Sequence, residues 1–239
     1  MSGTAPSDVR RAEFIDFMVD AGVLRFGDFV TKSGRRTPYF LNTGAYTTAA
    51  EMRTVGRAYA DAIVERFGSD GFDVLFGPAY KGIPLVVTVA LALLEHHGID
   101  APFCFDRKEA KDHGEGGRLV GHAPSHGDRV LIVEDVTTAG TSIRETVPLL
   151  RAAADVRLAG LIVSVDRMER GSSPDRTALE AVGEEFSMPT AAIVDLDAIV
   201  ARLGPNGGAP RPLSTAELER IDAYRTEWGV RRASDATAP

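Results

Sequence analysis

Two adjacent carboxylates, Glu134 and Asp135, close the apolar run Val130-Leu131-Ile132-Val133. A loop of small residues follows at once: Val136, Thr137, Thr138, Ala139, Gly140, Thr141 and Ser142. A loop of this kind at the start of a helix exposes several backbone N–H groups where the helix dipole favours an anion. Gly140 permits a turn that a larger residue would strain. The hydroxyls of Thr137, Thr138, Thr141 and Ser142 add donors. The pattern is a phosphate cradle with two carboxylates on its rim. Phosphate beside carboxylates is repulsive unless something separates them, and a ribose whose hydroxyls donate to the acids would do so. The plainer reading is a helix N-cap with an acidic pair beginning a solvent loop; the buried strand that feeds the pair weighs against it. There is no G-x-x-x-x-G-K-[ST] loop and no G-x-G-x-x-G after a strand.

Three other stretches carry groups that could meet an anionic ligand. Phe76 to Pro84, FGPAYKGIP, places Tyr80 and Lys81 between glycines, so the backbone can approach a ligand closely. Asp106 to Gly117, DRKEAKDHGEGG, has Arg107, Lys108, Lys111 and His113 within seven residues. By composition alone it is a mobile surface loop, and active-site lids are drawn from such low-stability segments. Ser164 to Arg170, SVDRMER, puts Arg167 just after a strand, where a guanidinium suits a planar carboxylate. Unaided, Arg167 reads more readily as a surface cation paired with Asp166 or Glu169.

The elements that must position these groups alternate between strand and helix patterns. Val9 to Asp20 has helical spacing with Asp8 as cap. Leu24 to Thr31 and Tyr39 to Asn42 are extended runs joined by a turn-like KSGRRTP. Met52 to Phe67 is one face of a helix, Asp73 to Gly77 a short buried strand, and Gly82 to about Gly98 a helix with Pro84 in its first turn. Strands follow at Pro102 to Phe105, Arg129 to Val136, Leu158 to Val165 and Thr190 to Val194. Helices are predicted at Ser142 to Ala154, after a Ser173 cap, at Asp195 to Leu203, and after a Ser214/Glu217 capping box. This alternation predicts an α/β chain, a Rossmann-like parallel sheet flanked by helices, with ligands beyond the carboxyl ends of the strands. Residues 8–230 are expected to form one domain, with a small hood mainly from about 8–50 and disordered tails at 1–7 and 231–239.

The 239 residues are 44% apolar and 26% charged, ordinary for a globular protein. The formal charge of −7 argues against nucleic acid as the main partner. The longest apolar run, Ile83 to Leu94, is too short to span a bilayer, and MSGTAPSDVRR lacks an apolar signal core. The single cysteine, Cys104, reads as a small buried hydrophobe and fits a reducing cytoplasm. His96 and His97 read as a solvated helix end, and His122 and His126 lack metal-ligand spacing.

Val130 to Val147 resembles the phosphoribosyl pyrophosphate (PRPP) motif of the type I phosphoribosyltransferases: two acidic residues, then a Thr-Gly-Thr/Ser loop between strand and helix. The stretches around Lys32, Tyr80, Lys111 and Arg167 resemble those of orotate phosphoribosyltransferases, so the resemblance covers about Phe14 to Val230. It implies that Glu134 and Asp135 hold the ribose hydroxyls and that Val136 to Ser142 hold the 5-phosphate. It also implies that the Tyr80–Lys81 loop, often with a non-proline cis peptide, binds pyrophosphate. Arg107, Lys108, Lys111 and His113 would form a catalytic lid over the site of the neighbouring subunit of a homodimer. Lys32 would reach toward PRPP, and Phe40, Leu41, Thr138 and Arg167 would contact orotate. Mg²⁺ is implied as cofactor, held mainly by PRPP and water. Lys111, His113, Glu134 and Asp135 are the implied catalytic residues. Two departures stand out: Glu134 occupies a position where Asp is common, and Leu41 one where an aromatic is frequent.

Overall fold

The computed structural model of the chain describes residues 7–31, 34–111, 117–137 and 140–230. Lys32, His113, Thr138, Ala139 and the expected tails at 1–6 and 231–239 lie outside the described residues. Ser7, expected in the tail, begins the first helix.

The described residues divide into two compact units. The larger spans Thr48–Val165 and Ala178–Ile193; the smaller takes residues 7–47, Asp166–Thr177 and 194–230. The smaller unit thus combines most of the 8–50 segment with two later stretches.

In the smaller unit, α1 (Ser7–Asp20) precedes a hairpin of β1 (Leu24–Val30) and β2 (Arg36–Leu41), which pair antiparallel. Phe14, Ile15 and Met18 are the buried side of α1. Asp8 lies inside its first turn, where it meets the helix dipole, and is not the cap. The turn-like KSGRRTP is shorter than expected, because Arg36 to Pro38 already belong to β2. Helices α6 (Leu196–Leu203, capped by Asp195) and α7 (Thr215–Trp228) complete the unit. The Ser214/Glu217 capping box is present in both directions.

In the larger unit, six strands run in the order β5-β4-β3-β6-β7-β8. They are β3 (Val74–Gly77), β4 (Phe103–Lys111), β5 (Gly117–Gly121), β6 (Arg129–Val133), β7 (Arg157–Asp166) and β8 (Thr190–Asp195). The last residues of β7 and β8 pass into the smaller unit. β3 pairs in parallel with both β4 and β6, and β6 with β7; β5 is antiparallel to β4. The helices of this unit are α2 (Ala49–Phe67), α3 (Gly82–His97), α4 (Thr141–Ala153) and α5 (Ala178–Phe186). Alternate strand residues Val74, Phe76, Val130 and Ile132 enter one core cluster with Ile143, Val147 and Leu150 of α4. Their neighbours Leu75, Leu131 and Ile162 are equally buried, so these strands are covered on both faces. Cys104 is buried in the same cluster as Val74, and its thiol is pushed up to about 12 by burial.

Three expectations change. The charged stretch from Asp106 is not loop throughout: β4 runs on to Lys111, and β5, which the composition does not announce, pairs back onto it from Lys111↔Gly117 to Cys104↔Gly121. Ser173 caps only a turn; α5 begins later, at Ala178. His97 is not solvated: its Nε2 lies 2.8 Å from Asp61 of α2, with both side chains largely buried. Among the described residues no helix is long and apolar enough to cross a membrane.

β3 sends its crossover to one side, toward β4, while β6 lies on its other side. Adjacent strand ends from which the chain leaves in opposite directions open a crevice, the usual ligand position in such sheets. The helices beside it pack closely. A Cβ on Gly56 of α2 would sit 2.6 Å from Thr88 Cγ2 and 2.8 Å from the Thr88 carbonyl of α3. Gly→Ala within a helix normally gains about 1 kcal/mol. Here backbone would have to move, so Gly56→Ala is expected to destabilise by about 1–3 kcal/mol. Urea unfolding of the two proteins checks the sign.

Candidate active site

The acidic pair stands where β6 ends. The strand stops at Val133, sooner than the expected Val136, and the backbone of the pair is then held by its neighbours. Glu134 N–H donates to the Ile162 carbonyl (3.0 Å) and the Tyr59 hydroxyl to the Glu134 carbonyl (2.7 Å). Both the N–H (2.9 Å) and the hydroxyl (2.6 Å) of Ser164 donate to the Asp135 carbonyl. Tyr59 reads in sequence as a core residue, and its hydroxyl role leaves no local signal; Ser164 was likewise missed.

The two carboxylates differ. Glu134 is 6% exposed. Burial first, and the neighbouring Asp135 charge second, push its carboxyl up to about 7. It accepts from Asp135 N–H (3.0 Å) and from the Ser142 side chain. Asp135 accepts from Lys81 Nζ at 2.9 Å. Lys81 is half exposed and leaves β3 through the loop that faces β6. This contact joins two of the sequence-predicted segments.

That loop is very tight. A Cβ on Gly77 would lie 2.2 Å from the Gly82 carbonyl, and one on Gly82 would lie 2.7 Å from both Gly77 C and Pro78 Cδ. Gly82 N–H closes on the Pro78 carbonyl at 2.9 Å. The Ala79–Tyr80 peptide is cis, as the resemblance implies for this loop. The Ala79 N–H donates to Asp106 Oδ1 at 2.6 Å. Asp106 is buried at the point where β4 becomes the charged ribbon, and sequence reading merged it with the solvated residues after it. Tyr80 is exposed.

Across from the acids, Gly140 sits at the start of α4 with φ +71°, and a Cβ there would lie 2.4 Å from Val182. Glycine is therefore required twice over, by backbone angle and by space. Among the described residues no side chain caps α4, whose N-cap is Gly140, so its first N–H groups are available to an anion. Thr137 is buried, and its hydroxyl has no hydrogen-bond partner among the described residues. Thr141 is exposed, while Ser142 and Val136 are half-buried. Of the ribbon cations, Arg107 is half-buried and Lys108 lies 3.4 Å from Glu145 of α4. The backbone of Lys111 ends β4. Among the described residues no three metal-ligating side chains cluster.

The smaller unit holds Phe40, Leu41 and Arg167. Phe40 stacks on Phe29 at 5.5 Å, with the Arg25 guanidinium 5.6 Å from its centroid. Leu41 is half-buried and pairs with Leu24 across the hairpin. Arg167 pairs with Glu169, as its plainer reading has it, but away from the surface: the side chains are 10% and 7% exposed. Its guanidinium lies 5.0 Å from the Tyr39 ring centroid. Sequence reading missed Tyr39, Glu169, Arg35 and Tyr224, which surround it.

The chain matches the phosphoribosyl transferase domain family over residues 43–194. It is 52% identical to an orotate phosphoribosyltransferase of Clostridium beijerinckii over 92% of this chain and 98% of that protein. It is 46% identical to one from Vibrio parahaemolyticus over 91% and 97%. The solved orotate phosphoribosyltransferase of Francisella tularensis is similar at TM-score 0.77 and 36% identity, covering 91% of this chain and 99% of that one. With about half its residues identical to such a relative over nearly its whole length, the chain belongs to the orotate phosphoribosyltransferases.

Proposed function

We propose that this protein transfers the 5-phosphoribosyl group from PRPP to orotate, giving orotidine 5'-phosphate and pyrophosphate for pyrimidine synthesis. The bond from ribose C1 to pyrophosphate oxygen breaks, a bond from C1 to the orotate ring nitrogen forms, and that nitrogen gives up its proton. The observation that carries the reading is the Glu134–Asp135 pair at the switch point, flanked by Lys81 and the uncapped start of α4. Relatives about 50% identical bear that activity as their name.

Each segment has a share in the chemistry. Glu134 and Asp135 accept hydrogen bonds from the ribose hydroxyls and favour positive charge on the ring. The N–H groups and hydroxyls from Val136 to Ser142, Thr138 and Ala139 included, hold the 5-phosphate. A ribose that takes over Asp135 would release Lys81 toward the pyrophosphate beside Tyr80. Arg107, Lys108, Lys111 and His113 close over the neighbouring subunit's site in a homodimer. Their charges meet the leaving group, and closure keeps water from the ribosyl centre. Lys32 joins the PRPP contacts. Phe40, Leu41, Thr138 and Arg167 receive orotate, whose ring nitrogen can arrive as an anion. Mg²⁺, when bound, would neutralise the pyrophosphate, held mainly by substrate oxygens and water. The buried free thiol of Cys104 fits a cytoplasmic protein.

Lys111→Ala is expected to lower kcat about a hundredfold or more, on the order of 3 kcal/mol; near-normal turnover would remove the lid from the mechanism. Inactive variants at Lys111 and at Glu134–Asp135 should partly restore activity when mixed, if subunits exchange. Absence of recovery despite demonstrated exchange would rule out a shared site.

The raised carboxyl of Glu134 gives a pH test. Between the unfolded value near 4.5 and the folded value of about 7, the native chain holds more protons. Stability from this group therefore falls as pH rises through that window and levels off above it. Ribose hydroxyls need the ionised acceptor, so PRPP binding should expel the proton. Calorimetry at about pH 6 in buffers of different ionisation enthalpy should record release of up to about one proton. Glu134→Gln should reduce it by the same amount, and equal release from both proteins would disprove this role for Glu134.

A further inference from the structure

Arg167 does not stand alone in the smaller unit. Its Nε–H donates to Glu169 Oε1 at 2.7 Å, and the same oxygen accepts from the Tyr224 hydroxyl at 2.7 Å. The other oxygen, Oε2, accepts from Arg35 Nη2 at 2.5 Å. Arg35 lies between two rings, 5.7 Å from the Tyr224 centroid and 5.0 Å from that of Trp228. Tyr39 closes the group: its ring lies against the Arg167 guanidinium and meets Tyr224 edge-on at 5.8 Å. The backbone next to Glu169 is pinned as well, Arg170 N–H donating to the Trp228 carbonyl and Val230 N–H to the Met168 carbonyl. One buried carboxylate thus anchors two arginines, with the end of α7 as its frame.

The cluster is unfinished in a particular way. Two guanidinium groups face one carboxylate, which leaves a surplus positive charge. Arg167 Nη2 also lies 2.5 Å from Glu169 Oε1, so that oxygen meets the Nε–Nη2 side of the guanidinium, while Arg35 Nε is buried without a hydrogen-bond acceptor among the described residues. Buried donors left unpaired are costly, and a buried surplus charge more so. A ligand carboxylate at Arg167 would supply the missing negative charge. Glu169 fixes the guanidinium through both Nε and Nη2, which sets the plane in which the group can meet a ligand carboxylate.

We propose that Glu169, gripped by Arg35 and Tyr224, is a positioning residue of the base site: it holds the Arg167 guanidinium for the orotate carboxylate and so sets orotate affinity. This rests on the orotate-transfer reading. If the unaltered protein turned over no orotate, that reading would fail first, whatever the variants did.

The test uses the full-length protein with PRPP and Mg²⁺, each substrate varied at saturating levels of the other. Tyr224→Phe removes one hydroxyl from Glu169 and keeps the ring. It should raise KM for orotate by about three- to tenfold and leave KM for PRPP within about twofold. Glu169→Gln should raise KM for orotate by about a hundredfold or more, again with KM for PRPP little changed. Should Glu169→Gln not fold, judged by circular dichroism, the Tyr224→Phe ratio carries the decision. A KM for orotate unchanged in folded Tyr224→Phe or Glu169→Gln overturns the proposal. So does a parallel rise of both KM values, which is what general loosening of the unit would produce.

Discussion

Ionising a carboxyl group that is 6% exposed, with a second carboxylate as its chain neighbour, is expensive, and the larger unit is organised around that expense. β6 brings Glu134 to the sheet edge as the last of five consecutive buried residues. Tyr59, Ile162 and Ser164 then grip the backbone of the pair and do nothing for its charge. Only Lys81 offers a full positive charge within bonding distance among the described contacts, and it meets Asp135 rather than Glu134. The arrangement fixes where the acids are while leaving one of them short of partners. A neutral donor such as a sugar hydroxyl can meet that need without introducing the repulsion that a bare phosphate would.

Backbone geometry does the complementary work. The loop after β3 and the loop after β6 both turn at glycines that no other residue could replace without moving the chain. At Gly77 and Gly82 the obstacle is the loop's own backbone; at Gly140 it is Val182 of α5 together with a left-handed φ. Both loops are therefore tied to the sheet and helices behind them. Interactions aimed at developing charge are effective when they need no rearrangement at the moment of reaction.

Much of this was legible in the sequence because it is local. Apolar runs of strand length announced β3, β6, β7 and β8, and Ser214-x-x-Glu217 announced the start of α7. Thr48-x-x-Glu51 carries the same capping pattern and opens α2. What could not be read depends on distant partners or on composition that points the wrong way. The strand from Asp106 to Lys111 and its partner β5 look like loop, since charged and glycine-rich residues normally stay solvated; pairing between the two strands overrides that preference. Ser173-Pro174 has the chemistry of a helix start but settles into a turn, with Ser173 bonding Asp175. The site motif itself was visible, Lys81 and the Glu134 loop included, while the contact between them needed the strand order. Glu169 was invisible as an anchor, because Arg35 lies 134 positions away from it and Tyr224 lies 55.

The two units use buried charge with opposite sign, and this bears on which base is accepted. The larger unit holds a surplus of carboxylates; the cluster around Glu169 holds a surplus guanidinium. On the proposed role of Glu169, a base without a carboxylate would leave the surplus charge of the Arg35–Arg167 pair unmet. Sites built to pair a polar group discriminate far more strongly against ligands that lack it than apolar pockets do against ligands of the wrong size, because the protein's own group is left buried and unpaired. Tyr39 and Tyr224 cannot relieve the surplus, since burial holds both phenols well above their ordinary ionisation range. If Arg167 receives the base as proposed, base selection follows from an unmet charge in the protein.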